Sequence, residues 1–229
     1  MTTIPANLQA VRERIAAACA AAGRDPCGVR LLAVSKTWPA ASVAEAAACG
    51  QRAFGESYVQ EALAKIAALR QLDLEWHFVG PLQSNKTRAV AEHFAWAHSV
   101  ERLKTAERLA AQRPAALPPL QVCVQVNVSG EQSKSGCTPE AALDLARRIA
   151  VLPNLTLRGL MAIPEPTADA GLSRRRFAVL RQLRDRLNAE GMDLDTLSMG
   201  MSDDLAAAIA EGATIVRIGT ALFGERQYP

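Results

Sequence analysis

No apolar segment of the 229-residue chain is long enough to span a bilayer. The opening Met1-Thr2-Thr3-Ile4-Pro5 has neither the basic start nor the apolar stretch of a secretory signal. A cytoplasmic protein without membrane attachment is expected. Charge of one sign is missing too: 26 basic and 23 acidic residues leave a formal charge of +3, not the basic footprint that nucleic acid requires. The five cysteines, Cys19, Cys27, Cys49, Cys123 and Cys137, are odd in number and include no C-x-x-C pair. That excludes a disulfide framework or zinc cluster and reads as reduced thiols, mostly small core residues. The three histidines, His77, His93 and His98, have no cysteine or carboxylate at ligand spacing, so no metal is expected. No G-x-G-x-x-G follows an early strand and no GxxxxGK[ST] occurs, which argues against the open nucleotide-binding sheets.

What is present is alternation. The hydrophobic fraction of 49% suffices for a sizeable core. Short apolar or β-branched runs predict strands at Arg30–Ser35, Arg52–Phe54, Glu75–Val79, Ala95–His98, Gln121–Val126, Thr156–Gly159, Thr196–Ser198 and Thr214–Ile218. Between them, amphipathic stretches predict helices at Ala40–Cys49, Ser57–Leu69, Ser84–His93, Val100–Gln112, Pro139–Val151, Gly171–Glu190 and Ser202–Glu211, with an additional helix, Asn7–Ala22, ahead of the first strand. Eight β-then-α units imply parallel strands, right-handed crossovers and closure. The expected fold is α/β: one (β/α)8 TIM barrel with an extra N-terminal helix, a single domain over residues 1–229.

In such a barrel, function gathers at the carboxyl ends of the strands. Strand one delivers Ser35 and Lys36, strand two Gly55-Glu56-Ser57-Tyr58, strand three Gly80 to Asn85, strand five Asn127 and strand six Met161. Strand seven delivers Met199-Gly200-Met201-Ser202, and strand eight Arg217 through Thr220. Taken alone, Lys36 reads as a strand-end lysine snorkelling to water. Alternation, however, sets Leu32, Val34 and Lys36 on one face and Ile215 and Arg217 on one face, and closure makes the two strands neighbours. Partial desolvation beside a second cation favours a neutral, nucleophilic amine. Gly219 and Thr220, with Gly200 and Ser202, sit where barrels bind phosphate through backbone N–H groups and a small hydroxyl. Ser202-Asp203-Asp204 also reads as a helix cap followed by acids that suit the helix dipole.

An aldehyde-trapping lysine, a phosphate cradle and a donor between them match the shape of pyridoxal 5′-phosphate. Guanidinium does not give up its proton, so a pyridine nitrogen facing Arg217 must accept a hydrogen bond and stay unprotonated. That makes a poorer electron sink and disfavours long-lived carbanion chemistry.

The segments LLAVSK (31–36), FGESYVQEAL (54–63), WHFVGPLQSNK (76–86), QVNVSGEQSKSG (125–136), RGLMAIP (158–164) and LSMGMSDDLAAAIAEGATIVRIGTALFG (197–224) run in order along nearly the whole chain. Through them the sequence resembles the pyridoxal phosphate homeostasis protein family (YggS/PROSC-like), whose barrel is like the N-terminal domain of alanine racemase. The resemblance implies that Lys36 forms the internal aldimine and that Arg217 faces the pyridine nitrogen. It further implies that Ser202, Gly219 and Thr220 hold the phosphate, and that Asn127 and His77 belong to the pocket. One position departs: Ser57 stands where asparagine is common in the family, and it can supply a hydroxyl or begin a helix as its cap.

The function the resemblance implies is a holder of pyridoxal phosphate, serving cofactor homeostasis and amino-acid and keto-acid balance without robust catalysis, with apo enzymes that use the cofactor as partners; a monomer is expected because the pattern lacks the second domain that builds the racemase-like dimer. Two other readings stay open: a slow amino-acid racemase, and a cofactor-free aldolase with Lys36 as its own Schiff base. Two-base racemisation needs a second group near the same carbon. The pattern leaves no room for a racemase's second domain, and the chain has only two tyrosines, Tyr58 and Tyr228. Lys134 and the arginine strip Arg174, Arg175, Arg176, Arg181, Arg184 and Arg186 read as solvated side chains outside the site.

Overall fold

The strands are short and largely apolar because they are packed twice, against helices outside and against side chains filling the barrel inside. The computed structural model describes residues 3–131 and 135–225. Lys134 and Tyr228 lie outside the described residues. In chain order the elements are α1 (Ile4–Ala21), β1 (Arg30–Val34), α2 (Ala40–Ala48), β2 (Ala53–Glu56), α3 (Val59–Ala68), β3 (Glu75–Phe78), α4 (Thr87–His93), β4 (Trp96–Val100), α5 (Leu103–Gln112), β5 (Leu120–Gln125), α6 (Pro139–Ala150), β6 (Leu155–Met161), α7 (Ala170–Ala189), β7 (Thr196–Ser198), α8 (Leu205–Ala210), β8 (Ile215–Ile218) and α9 (Thr220–Phe223). The strands pair in parallel in sequence order, and β1 closes on β8 with Leu32 opposite Arg217. The expected barrel and the extra leading helix are present.

Local chemistry starts and stops the helices where the sequence allows. Thr138 caps α6 by accepting from Ala141 N, Pro139 opens it, Glu140 lies in its first turn, and Arg147 and Arg148 lie in its last, all matched to the helix dipole. Asp169 caps α7 in the same way through Leu172 N. The arginines of α7 are ion-paired rather than merely solvated: Arg174 and Arg181 both bond the buried Glu211, and Arg176 bonds Glu165.

Among the described residues the buried apolar side chains form two clusters. The larger lies between strands and helices and includes Phe54, Phe78, Leu109, Ile149 and Val216. The smaller fills the barrel with Leu32, Ala53, Val79, Trp96, Cys123, Met161 and Ile215. Met161 is therefore a core side chain inside the barrel, not a loop residue at the mouth. Among the described residues, no helix is long and apolar enough to cross a membrane.

Candidate cofactor site

Alternation along β1 turns Val34 inward, Ser35 outward and Lys36 inward again. Lys36 is the first residue of the turn after Ser35 and is half-buried. Both of its neighbours are fixed. Ser35 donates its hydroxyl to Glu56 Oε1 at 2.7 Å and its carbonyl accepts from Lys65 Nζ at 2.7 Å, while Thr37 N donates to Glu61 Oε1 at 2.6 Å. Thr37 has a φ of 70°, a conformation in which a β-branched residue persists only when its surroundings hold it. Glu56, expected at the mouth, is instead turned outward beneath α3 and fully buried. Burial pushes its carboxyl up, against the pull of Lys65.

Lys36 lines a cavity of about 440 Å³ together with Val34, Ser57, Val79, Ile163, Met201, Ser202, Arg217, Gly219 and Thr220. Five of the seven expected site residues thus meet: Lys36, Ser202, Arg217, Gly219 and Thr220. Arg217 is only 4% exposed. Its Nη1 donates to Ser198 Oγ and its Nη2 to Ala162 O, each at 2.8 Å. Burial lowers its pKa to about 10, which still leaves it charged at neutral pH. It has no carboxylate ion pair among the described residues, although the Asp204 charge acts on it from nearby. A guanidinium carries five N–H groups, so two bonds do not exhaust it.

At the end of β8, Gly219 passes so close to β1 that a Cβ there would lie 3.2 Å from the Val34 carbonyl. The first amides of α9 follow directly, in the position where a helix has no acceptor of its own for them. Ser202 does not cap a helix: α8 begins only at Leu205, after Asp204, whose carboxylate turns back to accept from Met201 N at 2.5 Å. Of the two acids, Asp203 lines the cavity and Asp204 does not. Nor does Ser57 cap α3, which begins at Val59 after Tyr58, with no side-chain cap bond. Ser57 faces the cavity instead.

His77 and Asn127 lie elsewhere. His77 is fully buried inside the barrel on β3, with its ring nitrogens on Glu75 and His98. Asn127 organises its own loop, donating to Glu131 O and accepting from Ser129 N and Gly130 N. Both side chains have local partners, and neither is among the residues that line this cavity. Sequence alone does not point to Arg14: this residue of α1 lines the cavity and donates to Ser202 O at 2.6 Å. Tyr58 is 55% exposed and is not part of the cavity wall.

The donor set fits pyridoxal phosphate: a half-buried amine, a buried donor-only cation, small residues and hydroxyls at a strand exit, and apolar walls from Val34, Val79 and Ile163. The volume lies in the range of small-molecule sites. The described residues include no group of three or more His, Cys, Asp and Glu placed to hold a metal ion.

Residues 6–227 match the family described as "Alanine racemase, N-terminal domain". The chain is 65% identical over 228 residues to the pyridoxal phosphate homeostasis protein of Pseudomonas aeruginosa, covering 100% of this chain and 98% of that one. It is 53% identical over 234 residues to the protein of the same name in Escherichia coli K12, covering 100% and 99%. Among solved structures it resembles PipY of Synechococcus elongatus with pyridoxal phosphate bound, with a TM-score of 0.84, 39% identity, and 97% and 100% of the two chains covered.

Proposed function

Since the chain belongs to the alanine racemase N-terminal-domain family and, within it, to the pyridoxal phosphate homeostasis proteins, we propose that it holds pyridoxal 5′-phosphate covalently and releases it to other proteins. What supports this reading is the convergence of Lys36, Arg217, Ser202, Gly219 and Thr220 on one cavity. When bound, the aldehyde supplies an electrophilic carbon that condenses with the Lys36 amine and expels water. Ser202, Gly219 and Thr220 hold the phosphate, and Arg14 adds positive charge on that side. Arg217 donates to the ring nitrogen and cannot protonate it, so the ring stays a weak electron sink. Val34, Val79 and Ile163 keep water from the ring faces.

The fold acts as one domain, as a monomer in the cytoplasm, and its partners are apo enzymes that require the cofactor. A holder is favoured over a racemase because Tyr58, the candidate second base, points to solvent. The experiment is a visible spectrum of the protein loaded with pyridoxal phosphate, before and after borohydride, for wild type and Lys36→Ala. Colour fixed covalently in the wild type and lost in the variant is expected, with transfer of cofactor to an apo enzyme. Fast exchange of amino-acid α-hydrogens in heavy water would shift the assignment to a racemase. A colourless protein that cleaves aldols would shift it to an aldolase.

A further inference from the structure

Arg217 is the upper end of a continuous hydrogen-bonded chain running through the barrel interior. Its Nη1 meets Ser198 Oγ at 2.8 Å, Ser198 Oγ meets His98 Nδ1 at 2.8 Å, His98 Nε2 meets His77 Nδ1 at 2.9 Å, and His77 Nε2 meets Glu75 Oε1 at 2.5 Å. The foot of the chain is pinned by Arg30, whose Nη1 lies 2.7 Å from the same Glu75 oxygen. His77, His98 and Ser198 are each fully buried. Trp96 stacks on the His77 ring, with centroids 5.3 Å apart and planes 7° apart, and so fixes its orientation.

With both rings neutral, the two ends determine every proton between them. A guanidinium only donates and an ionised carboxylate only accepts. His77 must therefore carry its proton on Nε2, which leaves Nδ1 as acceptor, and His98 must carry its own on Nε2 to donate to it. His98 Nδ1 then accepts the Ser198 hydroxyl, and Ser198 Oγ accepts from Arg217. Both rings are neutral in this scheme, in agreement with the burial that lowers the pKa of each. The Cys123 thiol beside the chain is also neutral, its pKa pushed up to about 12 by burial. Asp204 acts on Arg217 from the side of the mouth and makes no bond within the chain.

We propose that Ser198, His98 and His77, closed by the Glu75 carboxylate, form a one-way donor chain that positions the Arg217 guanidinium in the wall of the cofactor cavity. They are positioning residues that touch no cofactor themselves. The role rests on the function proposed above only through what Arg217 faces; the proton order is a property of the protein alone. In a dry interior such a chain holds a cation without a direct ion pair, because each member polarises the next.

The experiment has two arms. In the first, long-range proton–nitrogen correlation spectra of the 15N-labelled cofactor-free wild type, near neutral pH, read the ring tautomers. Neutral rings with Nε2–H at both His77 and His98 are expected; an Nδ1–H tautomer or a doubly protonated ring at either position overturns the proposal. In the second, Ser198→Ala is loaded with pyridoxal phosphate. Retention roughly tenfold weaker and a moved pH midpoint of the visible band are expected, with His98→Gln, whose amide can both donate and accept, closer to wild type than His98→Leu. A Ser198→Ala protein with wild-type retention and midpoint overturns the proposal even if the tautomers are as stated. Failure of the wild type to take up cofactor would overturn the functional reading and leave the tautomers as the test of the chain.

Discussion

Glu56 and Lys65 form a buried ion pair, Oε1 to Nζ at 2.7 Å, directly behind the turn that carries Lys36. The pair lies outside the barrel, between β2 and α3, and its members also bond the hydroxyl and the carbonyl of Ser35. Lys65 further reaches Glu61, which in turn accepts from Thr37 N. The residues before and after Lys36 are thus tied to one charged cluster. Its function is geometric: it keeps an amine at a fixed place in the cavity wall by holding the backbone on both sides.

Breaking this pair should cost more from one side than from the other. Lys65→Met leaves Glu56 buried, charged and short of donors, with Oε2 already lacking a partner among the described residues. A loss of about 3–5 kcal/mol is expected in urea denaturation. Glu56→Gln keeps an acceptor for Ser35, and Lys65 retains Glu61 and the Ser35 carbonyl, so a loss of only about 1–2 kcal/mol is expected. Equal losses for the two variants would refute the assigned asymmetry.

The interior chain should make the fold acid-sensitive in two stages. His77 and His98 are held below the ordinary 6.5 by burial first of all. Glu75 is held at about 2 rather than 4.5: burial would raise it, and the His77 hydrogen bond and the Arg30 charge overcome that. Each group binds its proton more weakly in the folded chain, so the unfolded chain takes up more protons as pH falls. Stability contributed by the histidines is therefore present above 6.5 and lost below it, and that of Glu75 is present above 4.5 and lost towards 2. Thermal midpoints measured from about pH 7.5 downward should fall first near 6.5. In His98→Gln the first stage should be shallower by up to about 1.4 kcal/mol per pH unit. An unchanged acid limb in that variant would contradict a neutral, buried His98.

How far these features are legible in the sequence varies with their physical cause. β1 and β8 are evident because a strand packed on both faces must be apolar throughout, and Leu31–Val34 and Ile215–Ile218 are so except for Arg217. The predicted sixth strand stops two residues short because Gly159 resembles a terminator. In the fold it is a mid-strand residue pressed against the Thr196 backbone. Alternation alone puts Glu75 and His77 on one face of β3, so their pairing is readable, yet His98 requires knowledge of which strand lies next. Arg14 leaves no signal, since it meets Ser202 across 188 positions of sequence. Asn127 is drawn to its own loop by Asx-type bonds that a strand-end position does not announce.

Arg14 is an exposed cation whose contribution to a bound phosphate is screened by solvent. Arg14→Ala should weaken pyridoxal phosphate binding by about two- to fivefold, and the difference from wild type should shrink as salt rises. Fluorescence titration at two salt concentrations measures both. A much larger loss would mean that Arg14 acts through the Ser202 carbonyl to shape the loop, and that loss would not shrink with salt.

Gly200 separates two costs that are usually entangled. Its φ is 94°, and a Cβ there would lie 2.6 Å from the Ala208 Cβ, while its carbonyl accepts from Arg217 N at 2.9 Å. Gly23 has a φ of 64°, and a Cβ added there would meet nothing within 4 Å. Gly23→Ala therefore carries backbone strain alone, about 1 kcal/mol. Gly200→Ala carries the same kind of strain plus a clash that neither β7 nor α8 can relieve without moving, about 2–4 kcal/mol in total. Because the displaced carbonyl is bonded to the Arg217 backbone, and Ser202 is two residues on, the second variant should also hold cofactor more weakly while the first does not. Thermal melts of both, with and without pyridoxal phosphate, test this. A Gly200→Ala protein whose melting point still rises with cofactor as far as the wild type's would show that the loop after β7 adjusts independently of the site.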